Sequence, residues 1–458
     1  MKKIYLLLLG ISILSCNKNS YTPVHSDKWA VINDSVKQQW TAHSGNCTHG
    51  KWCNCIALPD TFAFATWCGL TFYWDVYYTQ AGLLAHGKVK LAKGGVNNLL
   101  FLADTLGYVP NASANWGLKR SQPPYLSLMV AELYPEIKDK EWLRNAYRIL
   151  MKEYYFWTNS SDTAVELNRT AIDGLQRYFH QQTDSASCIT MYNDLMKRIE
   201  SLPDTTEEAK AAAGSHFLAE AESGMDFTTR FEHRCADFIP VDLNANLYHY
   251  EVTLAVIERE LNISDGKTWD ELAGNRRDLI NKYCWDEEKG VFMDYDYINN
   301  RRSKVMAATS FSPMLTGMAS PEQAERMVEN LHLLESDWGI ITTTDAGEKQ
   351  AYQWDHHSIW PPMQTLVIKA LDRYGYKEDA VRIAMKYLDI AAANFYNPSP
   401  STFQSRKDEA ELKRPLFRIY EKYAVEGVIN NLEYTAGDSY GWSLGAYAYA
   451  YVYVMKSR

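Results

Sequence analysis

Residues 219–232 read AEAESGMDFTTRFE. The stretch opens as an Ala/Glu helix, breaks at Ser223-Gly224, and places Asp226 between Met225 and Phe227. An apolar setting raises a carboxyl pKa by desolvation, so Asp226 suits a proton donor. Far along the chain Glu421 stands between Tyr420 and Lys422. A neighbouring cation favours an ionised carboxylate, so Glu421 suits a proton acceptor. Two carboxyls on opposite sides of an anomeric carbon, one protonated and one not, are the equipment of glycoside hydrolysis. The chain has 56 acidic residues, so residue type alone does not single out this pair.

Asp226 and Glu421 share a setting with several other segments. FYWDVYY (72–78), RSQPPYLS (120–127), YQWDHHSIWPPMQ (352–364) and LEYTAGDSYGWSLG (432–445) set aromatic residues, often with a carboxylate, beside a break in the helical pattern. Sugars offer C–H faces that stack on rings and hydroxyls that bond to charged acceptors. With 14 Trp and 31 Tyr, the composition fits a large core as well as a sugar site.

These segments must be positioned by helices, because most of the chain shows helical spacing of apolar residues. DVYYTQAGLLAHG and KVKLAKGGVNNLLFLADTLG each stop at a glycine. SPEQAERMVENLHLL carries a capping box, with Ser320 as cap, Pro321 at the first helical position and Gln323 closing it. VDLNANLYHYEVTLAVIERELN and YKEDAVRIAMKYLDIAAANFY are further helices. The best strand signal is CWDEEKGVFMDYDYINN, with Gly290 at the turn. No composition shift interrupts residues 60–458, which argues for one all-α domain. No short repeat is visible, which disfavours a solenoid.

The chain begins MKKIYLLLLGISILSC. The apolar run falls short of the ~20 residues that span a bilayer as a helix. It reads as a bacterial lipoprotein signal over residues 1–15, with lipid on Cys16 and an outer-membrane location; an ordinary signal peptide or a poor anchor is the alternative. Residues 16–45 are expected to form a tether and N-terminal extension, and 46–458 the catalytic domain. In an exported protein Cys47, Cys53, Cys55 and Cys68 favour disulfides, while Cys188, Cys235 and Cys284 suit buried thiols. The net charge is −9 with no basic stripe, which disfavours nucleic acid. No metal is expected: the cysteine spacing is not a zinc spacing, and adjacent His356 and His357 cannot easily chelate one ion together. The expected partner is a small carbohydrate, met by a monomer that needs no cofactor and touches a membrane only through its lipid.

Taken together the motifs resemble the trehalase family, glycoside hydrolase family 37. RSQPP (120–124), AESGMDFTTR (221–230), PVDLNANLY (240–248), QWDHHSIWPP (353–362) and EKYAV (421–425) stand in that family's order. The resemblance implies an (α/α)6 toroid with minor β-hairpins, and an inverting α-glycosidase with Asp226 as general acid and Glu421 as general base. It implies that Trp74, Asp75, Asn111 and Arg120 hold the cleaved sugar, and that Gln122, Trp354, Asp355 and Glu433 line the same cavity. Glu222 is expected to be structural.

Departures from the family pattern concentrate in one place. Where the first signature carries an arginine this chain has Trp67, and where it carries a glutamate, Leu70. GLQRY (174–178) is not followed by the Arg-Pro-Glu element, Asn111 leads into Ala-Ser-Ala, and Met225 replaces a tryptophan. In the family the lost charges chiefly hold the leaving glucose. The expectation is a retained hydrolytic centre with an altered leaving-group site, acting on trehalose or a related α-glucoside. A glycosidase of a sibling toroid family and a non-hydrolytic glycan-binding lipoprotein are the alternatives.

Overall fold

The computed structural model describes residues 21–46, 55–66, 69–158, 169–179, 184–201, 204–399 and 416–458. Residues 1–20, where a signal sequence with Cys16 was expected, and Cys47, Cys53, Trp67 and Cys68 lie outside the described residues.

The helices run in chain order as α1 (Trp29–Ala42), α2 (Tyr73–Ala85), α3 (Val89–Leu106), α4 (Leu126–Ile137), α5 (Lys140–Thr158), α6 (Ser185–Arg198) and α7 (Glu207–Glu222). They continue as α8 (Val241–Leu261), α9 (Lys267–Tyr283), α10 (Ser312–Thr316), α11 (Pro321–Glu329), α12 (Pro361–Arg373), α13 (Lys377–Tyr396) and α14 (Gly441–Ser457). Packing follows a circle. Helix α2 touches α4, α4 touches α8, α8 touches α10, α10 touches α12, α12 touches α14, and α14 returns to α2. Helices α3, α5, α9, α13 and α1 pack against this inner ring as a second layer. The architecture is an (α/α)6 toroid.

Burial separates the two layers. In α2 eleven of thirteen residues are buried, as required of a helix enclosed on every side. Helix α5 buries one stripe, including Trp142, Ala146, Ile149, Glu153 and Trp157. The ring closes where α2 meets α14. A Cβ on Gly82 would lie 2.5 Å from Gly445 Cα, and one on Gly445 would lie 2.2 Å from Tyr78 O. Only two glycines allow the backbones so close.

Local signals behave as expected. Gly107 caps α3 at φ 88°, and the capping box at Ser320 and Gln323 starts α11. The strand signal folds as two short antiparallel pairs, Trp285–Asp286 with Val291–Phe292 and Tyr295–Asp296 with Arg301–Arg302. The expected tether differs. From residue 21 the chain lies on the body, with Tyr21 OH, Val24 N, His25 N and Trp29 Nε1 all donating to the buried Asp389 carboxylate. Cys188, Cys235 and Cys284 are buried free thiols.

Candidate active site

Several inner helices begin around one depression. Trp74 and Asp75 occupy the first turn of α2, Trp360 caps α12 and Trp442 is the second residue of α14. The segments entering these helices bring Gln122 ahead of α4 and Glu421 ahead of α14, while Gly224 and Asp226 follow the end of α7. Together with Thr66, Phe72, Trp354, Tyr434 and Tyr440 they wall a cavity of about 210 Å³. The wall is aromatic: Trp354 stacks on Trp360 at 3.7 Å and 2°, and Trp74 meets Trp354 at 5.6 Å and Trp442 at 6.1 Å.

The break at Ser223-Gly224 has a physical cause. Gly224 adopts φ 81°, and a Cβ there would sit 2.7 Å from Cζ2 of Trp74. Glycine therefore both permits the turn and lets the Trp74 ring lie against the backbone. The turn is fastened behind the cavity. Arg230 is fully buried and bonds Asp294 through Nε (2.7 Å) and Asp242 through Nη2 (2.7 Å), tying this loop to the start of α8. Glu222 is buried in a bidentate pair with Arg169 and also accepts from Ser121 N and Phe179 N, a structural arrangement.

The two carboxyls differ in setting. The Asp226 side chain is 36% exposed, opening into the cavity while protein packs around it. Burial raises its pKa, and Arg198, Arg120 and Lys422 oppose that rise. Glu421 is 5% exposed. Burial raises its pKa as well, but Lys422 and two hydrogen bonds oppose it. Tyr434 OH donates to Oε1 at 2.9 Å and Gly437 N to Oε2 at 3.1 Å. Donors aimed at both oxygens favour the carboxylate form. Asp75, between them electrostatically, is pushed well above the ordinary carboxyl range by burial and then by Glu421, with Asp226 adding to the rise.

Of the expected residues, Asp226, Glu421, Trp74, Asp75, Gln122 and Trp354 share the cavity wall. Gln122 Oε1 also accepts from Trp74 N at 3.3 Å. The other four stand around it. Asn111 is buried, with its backbone bonded to Tyr73 and Arg120. Arg120 is near enough to Asp226 to lower its carboxyl pKa. Asp355 is a clamp: it accepts from Thr229 N, Thr229 Oγ1, Thr228 Oγ1 and Tyr352 N, holding the Trp354 loop to the Asp226 loop. Glu433 is fully buried, accepts from Gln353 N at 2.9 Å, and has its pKa raised to about 8 by burial.

Three residues at the site carried no assigned role in the sequence reading. Gln353 donates its side-chain amide to Asp226 O and accepts from Lys422 Nζ at 2.7 Å. Tyr434 lies under the Lys422 ammonium, 3.6 Å from ring centre to nitrogen. Arg198, at the end of α6, faces Asp226 and Glu433. Gln353 and Tyr434 stood inside quoted segments, whereas no motif surrounds Arg198.

Comparison with known proteins places these features in context. The family profile described as Trehalase matches residues 70–453. The chain is 29% identical over 420 residues to a cytosolic neutral trehalase of Beauveria bassiana, covering 82% of this chain and 56% of the relative. It is 30% identical over 404 residues to a probable trehalase of Saccharomyces cerevisiae, covering 81% and 51%. It thus spans about half the length of the curated relatives it matches. The solved neutral trehalase Nth1 from Saccharomyces cerevisiae superposes with TM-score 0.70 and 25% identity over 93% of this chain and 80% of that one. A mannosylglycerate hydrolase from Thermus thermophilus shares the fold, at TM-score 0.58 and 15% identity over 91% and 99%. The fungal relatives named cytosolic overturn the outer-membrane lipoprotein location expected from the first sixteen residues.

Proposed function

The chain belongs to the trehalase family, and from that premise we propose that it hydrolyses trehalose or a related α-glucoside with inversion at the anomeric carbon. Asp226 acts as general acid and Glu421 as general base. Water attacks the anomeric carbon while Glu421 takes its proton. The glycosidic C–O bond breaks, and its electron pair goes to the leaving oxygen, which receives the Asp226 proton. From trehalose, the attacked glucose leaves as the β-anomer and the other as the α-anomer.

The observation that carries this reading is the pair of unlike carboxyls in one tryptophan-walled cavity. One is enclosed and accepts hydrogen bonds on both oxygens; the other opens into the cavity. An inverting pair requires carboxyls ~6.5–9.5 Å apart, with room for a water between them. The aromatic walls offer faces to the sugar's C–H surfaces, and the Asp75 carboxyl lines the same cavity within reach of its hydroxyls.

The test incubates the purified chain with trehalose and a panel of α-linked disaccharides, following the product anomers by proton NMR. Equal initial amounts of β- and α-glucose from trehalose are expected. A product of retained configuration would overturn the mechanism, and turnover of no panel member would overturn the activity.

A further inference from the structure

Arg198 ends α6, which packs with α7 as a hairpin beside the ring. Inside the hairpin a separate apolar cluster forms from Tyr192, Leu195, Met196 and Phe217, and it continues to Phe227 and Tyr352 at the site. A Cβ on Gly214 of α7 would fall 1.8 Å from Cys188 O of α6, so the two helices are in backbone contact. A tightly packed hairpin thus delivers the arginine. Its guanidinium carbon stands 5.5 Å from the Phe227 ring centre. Nη1 lies 3.6 Å from Asp226 Oδ2 and 3.8 Å from Glu433 Oε2.

Both distances are too long for hydrogen bonds. Among the described residues the guanidinium makes none, its side chain is 37% exposed, and the buried Glu433 Oε2 has no hydrogen-bond partner. Five N–H donors in a fixed fork are thus held beside the catalytic carboxyl with their capacity open. Arg198 is also absent from the wall of the cavity that contains Glu421 and Asp226; it approaches Asp226 from outside that wall.

We propose that Arg198 is the specificity-determining residue of the leaving-group side, where its guanidinium bonds the hydroxyls of the departing sugar. This rests on the hydrolytic reading above. The proton donor must touch the leaving oxygen, so the departing group lies against the Asp226 carboxyl, on the side away from the sugar that Glu421 and the tryptophans enclose. Arg120 and Lys422 also act on Asp226, but among the described residues Arg198 is the cation at ion-pair distance from its carboxylate. A planar fork matches adjacent hydroxyls as it matches carboxylates, which an ammonium does not. The charge that the family pattern carries at other positions is here supplied from the end of a helix.

The experiment compares the full-length chain with Arg198→Ala and Arg198→Lys on two substrates. One is trehalose, whose leaving group is a sugar; the other is α-glucosyl fluoride, whose leaving group has no hydroxyls to hold. Arg198→Ala is expected to lose ~10²-fold or more in kcat/KM on trehalose and to change less than about 3-fold on the fluoride. Arg198→Lys is expected to recover only a small part of the loss. Unchanged affinity for a glucose-shaped iminosugar reports that the enclosed subsite remains folded. Equal losses on both substrates, full recovery by lysine, or no loss on trehalose would each overturn the assignment. A wild-type chain that turns over neither substrate overturns the hydrolytic reading itself.

Discussion

Lys422 Nζ donates a 2.7 Å hydrogen bond to Gln353 Oε1, and through that contact the segment carrying Glu421 is joined to the loop carrying Asp226. Gln353 completes the link by donating its amide to Asp226 O. Its backbone N donates to Glu433 and its backbone O accepts from Trp360 Nε1. Both side-chain positions, two backbone groups and an aromatic wall therefore converge on one glutamine.

Replacing Gln353 with leucine removes both side-chain bonds at similar volume and leaves the buried ammonium with Leu432 O as its remaining acceptor. A buried polar group deprived of its partner costs about 1–3 kcal/mol, and a displacement near 1 Å at a reacting group costs ~10²-fold in rate. Gln353→Leu should lower both thermal stability and kcat. A wild-type kcat in a stably folded variant would show that the link does not position Asp226.

With Glu421 as the proposed base, Lys422 is expected to set the acid limb of the pH profile. Burial lowers its own pKa to about 8, and its charge lowers that of Glu421. In Lys422→Met the Glu421 carboxyl loses that support, and its pKa rises. The acid limb of kcat/KM should then move to higher pH. A limb that stays in place would assign it to another group.

Gly224→Ala introduces a side chain at φ 81°, 2.7 Å from the Trp74 ring. The left-handed conformation alone costs an alanine roughly 1–2 kcal/mol. The ring must also retreat into the cavity. The expected result is a lower melting temperature with a raised KM, read by calorimetry and steady-state kinetics. Loss of stability without a change in KM would separate the turn from the sugar wall.

Glu433 links stability to pH. Its pKa rises from 4.5 unfolded to about 8 folded, so the folded chain holds a proton that the unfolded chain releases. The resulting stability is complete below pH 4.5 and is lost as pH climbs through about 8. Glu433→Gln keeps an oxygen for Gln353 N and removes the titration. Its melting temperature should fall less between pH 5 and 8 than that of the wild type. Parallel pH curves for the two proteins would refute this.

The ring was legible because its signals are local. Helical spacing marked α2, α3, α8 and α13, and motifs set apart Asp226 and Glu421. Asp355 and Glu433 were placed among the sugar-lining residues, yet Asp355 spends its acceptors on Thr228, Thr229 and Tyr352. Such a division depends on which way a carboxylate points, and spacing does not encode that. Arg198 left no signal at all. It ends an ordinary amphipathic helix, and its proximity to Asp226 arises only when α6 folds against α7. The segment from residue 21, polar enough to read as a tether, is held by Asp389, a partner more than 350 positions away.

The paired glycines at positions 82 and 445 have a consequence in time as well as in space. They join the earliest inner helix to the last one. Trp74 and Asp75 therefore wait for Glu421 and Trp442 until the C-terminal helix is in place. During synthesis the nascent chain carries most of a ring but no complete pocket. Contacts between such distant segments form late and slowly. The pocket that holds Asp226 and Glu421 is thus complete only once α14 has docked on α2.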